Sequence, residues 1–245
     1  MIIRKLKNSD QNLLDDFLSN HTESCMFIRI NMKRSGLEYQ DWNYYGEYFG
    51  ALDELNHFIE VIVHYCNGNV MMQASNTSIL DSLIEHLQKN ISRPIKGILG
   101  PDNQAELVIQ KLGLSSAQYL MNDQNGLYTL DLKEMTKPKN FEFERSKIVP
   151  LNDVDQNIVT RWIRAFMIEA LQEEEGPDLD NKVEKRVDRT LKEKIFSTLL
   201  FDDTPVSING YNATLKETVQ VGSVYTPPEY RKCGFSRALL YLSLK

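Results

Sequence analysis

The stretch Val221 to Leu240, VGSVYTPPEYRKCGFSRALL, holds the residues whose types and spacing carry the clearest chemistry in this chain. An apolar strand runs through Pro227-Pro228 into an Arg-x-x-Gly loop, Arg231 to Gly234, and directly into an amphipathic helix. The first turn of a helix has unpaired backbone N–H groups and the positive end of the helix dipole, so such a loop can cradle a phosphate. Gly234 lets the backbone approach an anion without a Cβ in the way, and Pro227-Pro228 stops the strand before the loop. The plainer reading of the same residues is a Pro-Pro turn followed by an ordinary helix with a glycine near its start.

Near this loop, two groups could handle protons: Tyr225, inside the strand, and Glu217, just before it. Glu173, Glu174 and Glu175 form a carboxylate cluster with Asp178 and Asp180 in LQEEEGPDLDN. Such a cluster could attract a cationic amine, or it is a solvated acidic loop at a helix end. Its spacing does not fit a twelve-residue calcium loop. His21, His57, His64 and His86 include no i, i+4 pair, so no metal site is expected from them. No Ser-His-Asp or Cys-His arrangement stands out. Cys25, Cys66 and Cys233 are odd in number and widely spaced, as free thiols in a reducing compartment would be.

The elements that must position the loop can be followed backward from it. Phe143 to Val149 reads as a strand, and Asn152 or Asp153 as the cap of a helix whose apolar stripe includes Val159, Trp162, Ile163 and Phe166. That helix is expected to end near Gly176-Pro177. A second helix places Val183, Val187, Leu191 and Ile195 four residues apart, with a charged outer face. Strands Thr198 to Phe201 and Val206 to Tyr211 follow, joined by the turn Asp202-Asp203-Thr204-Pro205, and the strand Val219 to Tyr225 leads into the loop.

Taken together, Tyr-Thr-Pro, Pro-Glu-Tyr-Arg, Gly-Phe-Ser and Ala-Leu-Leu resemble the acetyl-CoA motif of the GNAT superfamily of acyl-CoA-dependent N-acyltransferases. Arg231, Gly234 and Ser236 fall on its signature, although Ser236 replaces the usual Gly or Ala and Lys232 a frequent Gly. The resemblance implies a cofactor-binding set of Val224, Tyr225, Thr226, Arg231, Lys232, Cys233, Gly234, Phe235 and Ser236. Backbone amides from Arg231 to Ser236 would hold the CoA pyrophosphate, and Val224 to Thr226 would face the pantetheine arm. It also places Glu173 to Glu175 on the loop that lines the amine pocket. The implied reaction is attack of a deprotonated amine on the acetyl thioester, without a covalent enzyme intermediate or a metal. The acceptor is a small-molecule or peptide amine that the sequence does not identify.

The first part of the chain has a similar order of elements. Ile2 to Lys5, Tyr44 to Leu52, Phe58 to Tyr65, Val70 to Ala74 and Pro94 to Leu99 read as strands, with Asn67-Gly68-Asn69 as a hairpin turn. Leu13, Leu14, Phe17 and Leu18 mark one helix, Ile79 to Leu87 a second, and Ala105 to Leu112 a third that stops at Gly113. Leu127 to Leu132 alternates like a final strand. The aromatic run from Trp42 to Ala51 packs a strand pair or a lobe interface. After Val70 to Ala74 the chain reads SNTSIL, without an Arg-x-x-Gly loop, so no acetyl-CoA is expected there.

The whole resembles the tandem, two-lobed GNAT proteins, an α+β fold with a mostly antiparallel mixed sheet flanked by helices in each lobe. The expected lobes are a degenerate one at 1–132 and an acetyl-CoA-binding one at 141–245, with KEMTKPKN at 133–140 as linker. The GNAT pattern continues with a strand, a helix and terminal strands where this chain reaches Lys245. The second lobe is therefore expected to be incomplete at its C-terminus: truncated, inactive, or completed by a partner such as a second copy pairing with the strand edge. The alternative to an enzyme is a non-catalytic CoA-binding or interaction protein, the remnant of one.

Composition is that of a globular protein: 245 residues, 42% hydrophobic and 25% charged. The formal net charge of −6 argues against a nucleic-acid partner. MIIRKLKNSDQ lacks an apolar signal core, and no run approaches the length of a membrane span, so a cytoplasmic address is expected.

Overall fold

The computed structural model describes residues 1–38, 44–91 and 93–245, with the side chains of 77–79 also outside the description. The chain divides into two compact units, Met1–Thr129 and Leu130–Lys245. Each is a sheet covered on both faces by helices.

In the first unit the elements are β1 (Ile2–Lys5), α1 (Gln11–Ser19), α2 (Thr22–Ser35), β2 (Gly46–Leu52), β3 (Phe58–Tyr65), β4 (Asn69–Ala74), α3 (Thr77–Asn90), β5 (Gly97–Leu99) and α4 (Asp102–Lys111). The sheet runs β1-β2-β3-β4-β5, antiparallel except for the parallel β4/β5 pair. Strand β3, FIEVIVHY, is an almost continuous apolar run because both of its faces are covered. Val61, Val63 and Tyr65 pack with Leu14, Leu18, Ile28 and Met32 of α1 and α2. Ile62 packs on the other face with Leu80, Leu83, Ile84 and Leu87 of α3 and Val108 of α4. Gly113, at φ 68°, ends the last helix as its position predicts.

One helix of this unit was not foreseen, and one expected strand at its C-terminal boundary does not form. Helix α2 has no counterpart in the sequence reading, because buried polar residues blur its stripe: Arg29 is 3% exposed and Nε donates to Asp15 Oδ1 at 2.8 Å. Leu127 to Leu132 forms no strand. Leu127, Tyr128, Leu130 and Leu132 are all exposed, so the alternation has neither a neighbouring strand nor a face to bury. Trp42, within the aromatic run, lies outside the described residues, as does the side chain of Ile79.

The second unit contains β6 (Ser146–Pro150), α5 (Gln156–Leu171), α6 (Pro177–Glu193), β7 (Phe196–Phe201), β8 (Thr204–Thr214), β9 (Val219–Tyr225) and α7 (Phe235–Ser243). Its sheet runs β6-β7-β8-β9 and is wholly antiparallel. Helices α5 and α6 cover one face through Val159, Trp162, Ile163, Met167, Val183 and Val187, together with Ile208 and Tyr225. Helix α7 covers the other face through Phe235, Ala238 and Leu239, against Leu199 and Val206.

Local boundaries move for identifiable reasons. Residues Phe143–Arg145 form a 3-10 turn, and β6 starts only at Ser146. The cap of α5 is Asp155, whose side chain accepts from Asn157 N–H at 2.7 Å, rather than Asn152 or Asp153. Helix α5 stops at Leu171 with Gln172 left-handed, and Pro177 opens α6 behind Gly176, where its missing N–H costs nothing. The β7/β8 turn is made by Asp202 and Asp203 alone, at φ 46° and 58°. Pro205 already belongs to β8, next to the register shift at Leu199/Leu200 that accommodates it.

Candidate functional site

Strand β9 delivers the loop. It ends at Tyr225, and Pro228–Tyr230 form a 3-10 turn before Arg231. Lys232 at φ 64° and Gly234 at φ 82° then turn the chain into α7. A Cβ on Gly234 would meet only Phe141 Cδ2, at 3.8 Å, so the left-handed backbone rather than crowding is what requires glycine here. Gly234 is the N-cap of α7, and no side chain caps the helix. The Ala238 N–H reaches the Gly234 carbonyl at 3.0 Å, which leaves the amides of Phe235, Ser236 and Arg237 ahead of the helical ladder. The Phe235 ring is buried among Phe141, Phe201 and Tyr230, with centroids 5.9, 5.1 and 6.3 Å away, and anchors this first turn. Its contribution to a ligand is confined to its backbone. Lys232 and Cys233 are exposed.

Beside the loop lies a cavity of about 370 Å³, lined by Phe166, Glu169 and Ala170 of α5 together with Val224, Tyr225, Thr226, Arg231 and Ser236. Five of the nine residues read as a cofactor-binding set thus face one space. Tyr225 Oη donates to Glu169 Oε1 at 3.2 Å, and Arg231 Nη2 donates to Glu169 Oε2 at 2.5 Å. Arg231 Nε also donates to the Thr226 carbonyl at 2.9 Å, so this guanidinium ties the loop to β9 and α5. Burial pushes the Tyr225 phenol above its ordinary value of 10.0, and the Glu169 carboxylate adds to the effect. The phenol therefore keeps its proton at neutral pH. Glu169 is absent from the sequence reading. The available signal is its place three residues beyond Phe166 and seven beyond Trp162, on the edge of the apolar stripe of α5.

The outer edge of β9 has no neighbouring strand among the described residues. Its pairing with β8 is interrupted between Gly210/Gly222 and Ile208/Tyr225, where Ser223 is left-handed at φ 52° and Val224 is turned toward solvent. This bulge bends the strand beside the cavity and leaves backbone groups for an extended ligand.

The other candidates lie apart from this cluster. Glu217 sits exposed in the β8/β9 turn, at the opposite end of β9 from Tyr225. In the acidic loop, Glu173 pairs with Lys182 at 2.5 Å and Glu175 with Arg164 at 3.4 Å, while Glu174 is exposed. Two of the three carboxylates are thus engaged within the unit. All four histidines lie in the first unit. Among the described residues no three His, Cys, Asp or Glu side chains gather as a metal site, and no helix is long and apolar enough to cross a membrane.

No family model matches this chain, and no curated protein matches it. Several solved structures are similar to it, three of which follow. One is a GCN5-related glucosamine N-acetyltransferase region in a fungal multi-domain GH3 β-N-acetylglucosaminidase, at 11% identity and a TM-score of 0.43, covering 99% of this chain and 33% of that one. Another is a tandem GNAT protein from the clavulanic acid biosynthesis pathway, at 7% identity and a TM-score of 0.42, covering 99% and 84%. The third is a GCN5-related N-acetyltransferase from Sphaerobacter thermophilus, at 12% identity and a TM-score of 0.47, covering 99% and 81%. This chain spans a third of the length of the first of these, and at such identities the likeness is one of fold.

Proposed function

We propose that the Leu130–Lys245 unit is an N-acyltransferase that moves an acetyl group from acetyl-CoA to an amine. The observation that carries this reading is the uncapped start of α7 at left-handed Gly234, opening beside a cavity in which Glu169 bridges Tyr225 and Arg231. The residues fit the group: free first-turn amides suit a pyrophosphate, and the small Ser236 leaves room for it. Acetyl-CoA would supply an activated acyl thioester.

The chain's own groups then have distinct tasks. The amides of Lys232 to Ser236 bind and orient the anion, and the edge of β9 at Val224 to Thr226 guides the extended arm. Glu169 takes up the proton that an acceptor ammonium must lose before it can attack. Tyr225 Oη holds a proton for a leaving group and recovers one from Glu169 across 3.2 Å. Arg231 Nη2 donates to Glu169 Oε2 and so holds that carboxylate in place. Phe166 supplies an apolar part of the cavity wall.

Thiol release from acetyl-CoA in the presence of an amine panel tests the reaction, with calorimetry of acetyl-CoA binding beside it. Binding with amine-dependent release supports the enzyme. Binding without release from any amine favours a non-catalytic CoA-binding protein, and the absence of binding removes the cofactor.

A further inference from the structure

Arg186 on α6 is a half-buried charged group of this unit that the acyl-transfer reading leaves unused. It is half-buried, its guanidinium lies over the Phe166 ring at 5.2 Å from the centroid, and Nη2 donates to Ser223 Oγ at 3.1 Å. Phe166 lines the cavity, and Ser223 is the left-handed residue of the β9 bulge, next to Val224 of the same wall. Arg186 therefore sits behind a cavity-lining side chain, Phe166, and next to the strand residue that precedes Val224. No carboxylate pairs with it among the described residues, and the charge that acts on it is a second cation, Arg189. On its own helix face its neighbours are Lys182, already paired with Glu173, then Val183, Arg189 and Thr190. In a chain of net charge −6, an arginine taken partly out of water without an anion is costly unless a ligand supplies one.

We propose that Arg186 recognises a carboxylate on the acceptor, so that the substrate is an amine that also carries an acid group, as an amino acid does. This assignment rests on the acyl-transfer reading and narrows it. The flat guanidinium is held by Phe166 on one face and by Ser223 at one N–H, which leaves the rest of its planar fork for a bidentate partner. A carboxylate docked there lies beside the bulge, and the amine of the same molecule reaches toward Glu169, whose oxygens accept from Arg231 and Tyr225 and offer no donor to a second carboxylate. With Arg231 of the cavity wall already engaged by Glu169, Arg186 and the Glu169 carboxylate set which end of the acceptor goes where. The acidic loop is not needed, since Lys182 and Arg164 hold Glu173 and Glu175.

The test compares matched N-acetyl amino acids and their primary amides, with α-, β- and γ-amino skeletons, as ligands of the full-length protein. Binding is followed by the ¹⁵N–¹H signal of the Arg186 side chain and by calorimetry. The acid of at least one skeleton is expected to bind roughly tenfold or more tightly than its amide, shifting the Arg186 signal. Arg186→Gln should abolish that preference, leave amide binding and acetyl-CoA binding unchanged, and Arg186→Lys should restore part of it. Acids that bind no better than amides to the wild-type protein overturn the proposal, whether or not the variants fold. Failure of acetyl-CoA to bind, with an Arg186-dependent preference for acids intact, overturns the acyl-transfer reading instead and leaves a carboxylate site.

Discussion

Glu169 Oε1 accepts the Tyr225 hydroxyl at 3.2 Å from the last turn of a helix sixteen residues long, while Tyr225 closes the strand that leads into the phosphate-type loop. Two side chains 56 positions apart are thereby brought to one cavity wall, and the proton chemistry proposed for the site rests on that pairing.

Removing the carboxylate while keeping its shape separates chemistry from binding. Glu169→Gln is expected to lower kcat by about a hundredfold or more, with acetyl-CoA affinity changed less than about threefold. Tyr225→Phe should do the same, and the double variant should cost little more than either alone, because the two act as one unit. Steady-state kinetics with calorimetry on the three variants checks this.

The raised phenol predicts the shape of the alkaline limb. Tyr225 holds its proton beyond 10.0 because burial, first, and Glu169, second, disfavour phenolate. The folded value lies above the unfolded one, so the contribution to stability is complete below pH 10 and falls as pH rises further. Activity is expected to show no loss from Tyr225 ionisation up to pH 10. A limb falling near pH 8 to 9 in wild type but not in Tyr225→Phe would contradict it.

Gly234 offers a backbone test without steric confusion. At φ 82°, with only Phe141 Cδ2 at 3.8 Å from a new Cβ, Gly234→Ala should cost about 1–2 kcal/mol and weaken acetyl-CoA binding, whereas Gly234→Asn should cost less. Urea unfolding of both variants measures the difference.

Glu60 in the first unit is fully buried on β3, with both carboxyl oxygens unpartnered among the described residues, and burial beside Asp81 pushes it from 4.5 up to about 7. A folded value above the unfolded one means that its contribution is complete below pH 4.5 and is lost as pH rises to about 7. The loss amounts to about 3 kcal/mol. Glu60→Gln is expected to flatten that fall and to be the more stable protein at pH 8. Denaturation across pH 4 to 8, on wild type and variant, decides it.

Much of this was legible in the sequence where one physical pattern dominated. Strand β3 and helix α3 declared themselves by apolar runs and spacing, and Gly113 by the left-handed turn it makes, whereas Gly234 was read for its missing Cβ and the structure requires it for its positive φ. The uncapped entry to α7 followed from Arg231 to Ser236. Helix α2 was hidden because Arg29 is buried through its pairing with Asp15, which a hydrophobic pattern scores as surface. Leu127 to Leu132 misled in the opposite sense, since alternation alone does not supply a partner strand. Glu169 and Arg186 were not legible as a pair of site charges, because their meaning depends on the β9 bulge and the α5/α6 packing that bring them beside Phe166 and Tyr225.

Titration calorimetry of acetyl-CoA into the full-length protein tests the central claim most directly. One molecule is expected to bind per chain, with affinity lost in Gly234→Val and retained in Glu169→Gln. No heat of binding at high micromolar acetyl-CoA, or binding unaffected by Gly234→Val, would contradict the account.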